Sequence, residues 1–217
     1  MPPIISIVGK SDSGKTTLLE KLISEFRKRG YLIGTIKHDI HGFDIDHEGK
    51  DSWRHKKAGA VSVVISSPSK LAVIKDTDED KDLDLLVAEY LPDVDIIFTE
   101  GYKRENKPKI EVFRKEIHKE LLCLKDENLI ALVSNQRFDI GVPCFDIDDV
   151  KGLSDFIEEK FLKAQKLPSV SLTINGKYSP LKPFIQEMFI NTISGMVSAL
   201  KGGKEARSIK LTIKLPE

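Results

Sequence analysis

The sequence predicts an α/β fold: a mostly parallel sheet flanked by helices, with a small α+β module at the C-terminal end. Three observations lead there. A β-branched run, Ile4 to Val8, stops at a glycine. An amphipathic helical pattern opens after Gly14. Strand-like and helix-like segments then alternate, less cleanly, as far as residue 164.

Ile4-Ile5-Ser6-Ile7-Val8 is apolar on both alternating faces, as a strand covered on both sides requires. From Lys15 to Arg29, Leu18, Leu22 and Phe26, joined by Leu19 and Ile23, recur at spacings of three and four, and Gly30 supplies the stop. Tyr31 to Ile36 reads as a second strand, which completes a βαβ unit with a right-handed crossover. Asp51 to Ala58 is helical, Val61 to Ser66 and Leu71 to Lys75 are strands about Ser67-Pro68-Ser69, and Leu83 to Leu91 is a helix closed by Pro92. Val94 to Thr99, Ile110 to Arg114, Leu121 to Leu124 and Leu129 to Ser134 are further strands. Gly152 to Ala164 is a helix that turns Leu153, Phe156, Ile157 and Phe161 inward. The break at Gln165 to Ser169 divides the chain into a domain of residues 1–166 and a module of residues 167–217. The module carries a strand from Val170 to Ile174, an Asn175-Gly176 turn, a helix from Pro183 to Leu200 and a strand from Ser208 to Lys214. Phe184, Ile185, Met188, Phe189, Ile193, Met196 and Leu200 make an apolar stripe on that helix, to be covered within the module or in an interface.

A chain of 217 residues, 40% hydrophobic and 31% charged, buries a core without metal or disulfide staples. Its 34 basic and 34 acidic residues cancel, so no global field recommends nucleic acid as a partner. The balance is uneven, because seven Lys or Arg against three Glu leave the last fifty or so residues positive and the rest negative. Cys123 and Cys144 are too few and too isolated for a zinc knuckle and read as core residues of a reducing compartment. No apolar run reaches the ~18 residues of a membrane span, and Met1 to Gly14 lacks the pattern of a secretory leader. A cytoplasmic location with no membrane partner is expected.

Gly9-Lys10-Ser11-Asp12-Ser13-Gly14-Lys15-Thr16 matches G-x-x-x-x-G-K-[ST] without a departure, and Thr17 follows. With a buried strand before it and an amphipathic helix after it, this is the phosphate loop of a P-loop NTPase. The spacing turns backbone N–H groups into a nest for polyphosphate at the positive end of a helix. Residues 9 to 17 are therefore nucleotide-lining candidates, with the Lys15 ammonium reaching the β and γ phosphates and the Thr16 hydroxyl ligating Mg²⁺. Lys10 stands where deviant phosphate-loop families carry a lysine that reaches a dimer partner's nucleotide; a solvated loop lysine is the alternative. A P-loop enzyme also needs a carboxylate at the end of a neighbouring strand, and Asp95 to Thr99 leads to Glu100, with Gly101 after it. Lys103, Arg104, Lys107 and Lys109 form a basic patch that either meets an anion or is solvated.

Between these motifs, His38, His41, His47 and His55 are interleaved with carboxylates. The cluster admits a transition-metal site built from His38 and His41 with Asp44 or Asp46, although its spacing fits no zinc signature. It also admits a switch-like loop whose Asp44 or Asp46 approaches Mg²⁺ and whose Lys37, Lys50 and Arg54 meet an anionic ligand, or plain surface polarity.

Taken together, the loop Gly9 to Thr17, Ile36-Lys37-His38-Asp39 leading to Asp44-Ile45-Asp46, Gly49-Lys50-Asp51-Ser52, Arg54, Ala58-Gly59-Ala60, Glu100-Gly101-Tyr102-Lys103 and Pro108-Lys109-Ile110 resemble the MobB family. Its full description is molybdopterin-guanine dinucleotide biosynthesis protein B. The resemblance covers about residues 3 to 164 and leaves the last fifty without a role. It implies a GTP-binding homodimer with weak hydrolysis, an adapter for the guanylyltransferase that joins GMP to the molybdenum-bearing pterin, with molybdopterin itself a possible ligand. It also implies that Gly14, Lys15 and Thr16 hold phosphates and metal and that Glu100 lies beside the Mg²⁺ shell, Lys15 and Glu100 being the catalytic candidates. No Asn-Lys-x-Asp stands intact, so the guanine contact falls to Ser134-Asn135 or to Asp146 and Asp148, with Asn135 taken first. The competing classes are a P-loop kinase or ligase acting on a small metabolite, with Asp39 or Asp44 as base, and an assembly protein that uses nucleotide as a switch.

Overall fold

A computed structural model describes residues 1–39, 42–43, 45–163, 168 and 170–214. Strand β1 (Ile4–Val8) is buried at every position and is the centre of a six-stranded sheet. The order is β2 (Ile33–Lys37), β5 (Ile96–Glu100), β1, β6 (Lys109–Phe113), β7 (Leu129–Ser134), β8 (Cys144–Asp146), every pairing parallel. Between β2 and β5 in sequence come α2 (Asp51–Lys57), an antiparallel ribbon of β3 (Ser62–Ser66) and β4 (Leu71–Lys75), and α3 (Leu83–Tyr90).

The alternation along β1 decides what each face of the sheet meets. Ile5 and Ile7 point with Phe98, Ile110, Val112, Ala131 and Val133 towards α1 (Lys15–Lys28) and α4 (Val150–Ile157), and Leu18, Leu22, Phe26, Leu153 and Ile157 close that layer. Complete burial of one such side chain contributes roughly 2 to 3 kcal/mol, so this layer is where most of the apolar stabilisation resides. On the other face Ile4 and Ile97 meet Leu83 and Val87 of α3, while Val8 and Leu129 are covered by Cys123.

Several expectations are corrected here. Leu121 to Leu124 forms no strand: the Leu122 and Cys123 amides donate to the buried Glu111 carboxylate instead of to a strand partner. β8 follows Pro143 on only three residues, too short a run to signal a strand. The β3–β4 ribbon stands apart from the main sheet. The helix expected to run to Ala164 is α-helical from Val150 to Ile157 and continues as a π turn, Glu158–Leu162.

In the module, β9 (Leu172–Ile174) and β10 (Lys177–Ser179) pair as a hairpin around Asn175-Gly176, and α5 (Pro183–Ser198) follows. The hairpin leans on α3, and burial raises the Tyr178 hydroxyl pKa, helped by the charges of Asp84 and Asp82 on that side. The strand expected over residues 208–214 is absent among the described residues, since its alternating apolar side chains have no sheet edge beside them. No residue of α5 is fully buried; Phe184, Met188, Met196 and Leu200 are exposed, and Ile185, Phe189 and Ile193 are half-buried.

Candidate functional site

The carboxyl ends of the parallel strands gather the chemistry-bearing residues along one edge, where open α/β sheets bind ligands. Gly9 to Gly14 bridge β1 and α1 there. Gly9 has φ +153°, and a Cβ on it would stand 2.6 Å from the Val112 carbonyl oxygen of β6 and 2.6 Å from Ser13 Oγ. Gly14 takes φ +96° as the residue before α1. Asp12 is also left-handed, at φ +61°. The first turn of α1 has no side-chain cap and no acidic residue, so its N–H groups and positive dipole end face outward unneutralised. Lys15 Nζ folds back over the loop and donates to the Lys10 carbonyl at 2.8 Å. Ser13 Oγ is buried with no hydrogen-bond partner among the described residues. An uncapped helix start, an orphaned hydroxyl and an ammonium over a glycine cradle are the features that fit a polyphosphate.

On the β5 flank, the Thr16 hydroxyl donates to Glu100 Oε1 at 3.0 Å. Parallel register produces this meeting: Ile7 of β1 lies beside Glu100, and α1 begins a few residues beyond Ile7. Below it, Thr99 Oγ1 donates to Ser6 Oγ at 3.0 Å, a buried pair that ties the two strands under the loop. His38 follows β2; its amide donates to the Glu100 carbonyl at 3.1 Å, and its ring stacks on Tyr102 at 4.7 Å and meets Asp80 at 2.7 Å. Asp46 Oδ1 accepts from Ser52 Oγ and from the His47 amide, both at 3.0 Å, and its Oδ2 is buried without a partner among the described residues. His41 and Asp44 lie outside the described residues. Among the described residues no group of three His, Cys, Asp or Glu side chains is arranged to hold a metal ion.

Comparison with known proteins bears on this edge of the sheet directly. The family described as "MobB: Molybdopterin guanine dinucleotide synthesis protein B" matches residues 4–135, the stretch that carries the loop, Glu100 and Asn135. The chain belongs to the MobB family. A Haemophilus influenzae protein named molybdopterin-guanine dinucleotide biosynthesis adapter protein is 39% identical over 157 residues, 72% of this chain and 88% of its own. A Methanocaldococcus jannaschii protein bearing the same name, marked putative, is 26% identical and spans 97% of both chains, the C-terminal module included. A crystal structure of molybdopterin-guanine biosynthesis protein B is similar at a TM-score of 0.58 and 34% identity, over 73% of this chain and 98% of that one.

The β6 flank of this MobB-family site holds what the sequence did not disclose. Arg114 Nε donates to the Ser13 carbonyl at 3.2 Å, and His118 Nε2 lies 3.1 Å from the Ser11 carbonyl. Asn135 donates its amide to Glu116 Oε1 at 2.6 Å, which joins the loops after β6 and β7. Asp148 accepts from Lys21 at 2.8 Å, a hydrogen bond that, ahead of the lysine's charge, holds the Asp148 carboxyl below the usual range. In the sequence Arg114 reads as the last residue of a strand, and no local pattern separates such a residue from one that turns onto a loop distant in sequence. Two lysines of the basic patch stand in structural pairs: Lys107 meets Asp84 at 2.5 Å, and Lys109, buried, meets Asp126 at 2.9 Å. The acidic stretch Asp76 to Asp84 supplies partners to Lys56, His38 and Lys107, and Asp82 caps α3.

Proposed function

We propose that this chain binds GTP and Mg²⁺ at Gly9 to Thr17 and acts as an adapter in the biosynthesis of molybdopterin guanine dinucleotide, with weak GTP hydrolysis. The observation that carries this is the hydrogen bond between the Thr16 hydroxyl and Glu100. It puts a hydroxyl ligand and a carboxylate side by side at the loop, the pair that P-loop proteins place on the metal. Bound Mg²⁺ would neutralise charge on the β and γ phosphate oxygens. Gly9, Lys10, Ser11, Asp12, Ser13, Gly14 and Thr17 line the phosphates, and Lys15 exchanges its bond to the Lys10 carbonyl for phosphate oxygens. Asp46 has a buried oxygen without a donor among the described residues, which suits a carboxylate that turns towards the metal shell, and Asp44 belongs to the same proposal. Asn135 and its partner Glu116 stand on the nucleoside side, where an amide and a carboxylate match the edge of guanine.

The pathway assignment rests on the relatives named above, whose names carry the word adapter. It brings the guanylyltransferase and molybdopterin as partners, with no role for nucleic acid or membrane; no described helix is long and apolar enough to cross a bilayer. A cytoplasmic homodimer completes the proposal, supported by a β3–β4 ribbon that leaves Val64, Ile65, Leu71 and Val73 exposed. Residues 1–166 form the nucleotide-binding unit and 167–217 an added module, a division supported by a family match that ends at residue 135 and by relatives that cover 72% and 73% of this chain. Calorimetric titration with GTP and ATP in Mg²⁺ is the test. Binding of GTP in preference to ATP, abolished in Lys15→Ala, is expected; preference for ATP, or phosphate transfer to a small hydroxyl acceptor, would replace this function with the kinase.

A further inference from the structure

The loop between β1 and α1 is gripped from two sides, and only one grip involves a residue that the phosphate-loop motif explains. Glu100 reaches it from β5. Arg114 reaches it from β6, the strand on the other side of β1, immediately beyond Phe113. Its Nε donates to the Ser13 carbonyl at 3.2 Å. Its terminal nitrogen lies 3.4 Å, and its central carbon 3.8 Å, from the point where a Cβ on Gly14 would stand, so the guanidinium rests against the residue before Lys15.

That guanidinium is costly to hold there for structure alone. A guanidinium carries five N–H donors, and one of Arg114's meets the loop carbonyl. The four on the terminal nitrogens have no hydrogen-bond or ion-pair partner among the described residues. Two carboxylates that feel its charge, Asp148 and Glu116, are bonded to Lys21 at 2.8 Å and to Asn135 at 2.6 Å. A half-buried cation pinned by one nitrogen, with a planar fork left over beside a phosphate loop, is arranged to take an oxyanion.

We propose that Arg114 is a second phosphate-binding cation of this site and that it grips the phosphates nearest the nucleoside rather than the terminal one. The assignment rests on the nucleotide-binding function above. Its placement follows from the strand order. Lys15, Thr16 and Glu100 mark the metal side, towards β5, whereas Arg114 lies towards β7 and β8, whose end loops carry Asn135 and Asp148. A charge on that side meets GTP and GDP alike.

The test is the affinity of the full-length protein for GTP and for GDP, with Mg²⁺, in the wild type, Arg114→Ala and Arg114→Gln. The glutamine keeps an amide donor for the Ser13 carbonyl while removing the charge. Melting of the ligand-free proteins separates loss of binding from loss of fold. Both affinities are expected to fall by about ten- to a hundredfold in the glutamine variant, the range of a charge-assisted hydrogen bond, with the ligand-free melting temperature unchanged. Unchanged affinities, or loss confined to GTP, would overturn the proposal. Failure of the wild type to bind either nucleotide would instead remove the function on which it rests.

Discussion

Lys109 and Glu111 stand on the same face of β6, and each is about 1% exposed, which makes them the residues whose charges cost most to bury. Each charge is satisfied by a different part of the chain. Lys109 donates to the Glu105 carbonyl at 2.6 Å and pairs with Asp126, while Glu111 accepts the Leu122 amide at 2.6 Å and the Cys123 amide at 2.9 Å. Glu111 therefore acts as the acceptor that a neighbouring strand would otherwise supply, and it fastens residues 122–123 over Val8 and Leu129. Burial, with the nearby Glu111 charge, pushes the Cys123 thiol up to about 11, so this cysteine stays a neutral core residue at physiological pH. Glu111→Ala would leave two backbone N–H groups without an acceptor and a buried lysine with less compensating charge. We expect a loss of about 3 kcal/mol, read as a lower urea midpoint at unchanged m-value. The exposed pair Lys163 and Glu159, 60% and 70% accessible, sets the contrast: breaking it should leave the urea midpoint essentially where it is.

Between elements, the seam of α1 against the end of α4 is held by charge as well as by Phe26 and Ile157. Arg29, just past α1, donates to Glu158 at 2.6 Å, to Asp155 at 2.7 Å and to Glu25 at 2.9 Å, and the Tyr31 hydroxyl donates to Glu158 at 2.9 Å. The hydrogen bond from Arg29, then that from Tyr31, holds the Glu158 carboxyl below its ordinary value of 4.5. A carboxyl whose folded pKa is depressed stabilises the fold fully above its unfolded value and loses that contribution as pH falls through the folded one. The stability gap between wild type and Glu158→Gln should therefore be constant from neutral pH down to the ordinary value of 4.5 and close below it. Chemical denaturation at a series of pH values checks this, and a gap that does not narrow as pH falls below 4.5 would contradict it. The seam also marks what the sequence made legible. The 3.6-residue period that places Leu18, Leu22 and Phe26 on one stripe is local, and so are the two glycines and the lysine of the loop. Local patterns do not contain the partner across a seam. Arg29 reads as the end of a helix, Arg114 as the end of a strand, and Leu121 to Leu124 as a strand because the run is apolar, although only Cys123 of it enters the core, fastened by a carboxylate. The alternation over residues 208–214 misleads for the opposite reason: the pattern of a strand is present and the edge to pair with is not.

At the scale of the molecule, the two parts of the chain differ in charge and in how well they cover themselves. The negative part holds every buried hydrophobic residue of the described chain; the positive part, from residue 167 on, contributes a hairpin that leans on α3 and a helix with no buried residue. A core layer that closes on α1 and α4 does not need that helix, and the Haemophilus influenzae relative has 88% of its length matched by 72% of this chain. Removal of residues 167–217 should then leave GTP affinity within about twofold and the unfolding cooperativity intact, since neither the loop nor the layer beneath it loses a neighbour. The loss is confined to α3, where Tyr178 no longer covers the ground beside Asp82 and Asp84, a change worth about 1 to 2 kcal/mol by the area of one aromatic side chain. Light scattering on the shortened protein adds the decisive measurement for assembly. An unchanged dimer would assign the association to the nucleotide domain and leave the exposed side chains of α5 without a role in it, whereas a monomer that still binds GTP would place the interface on the module.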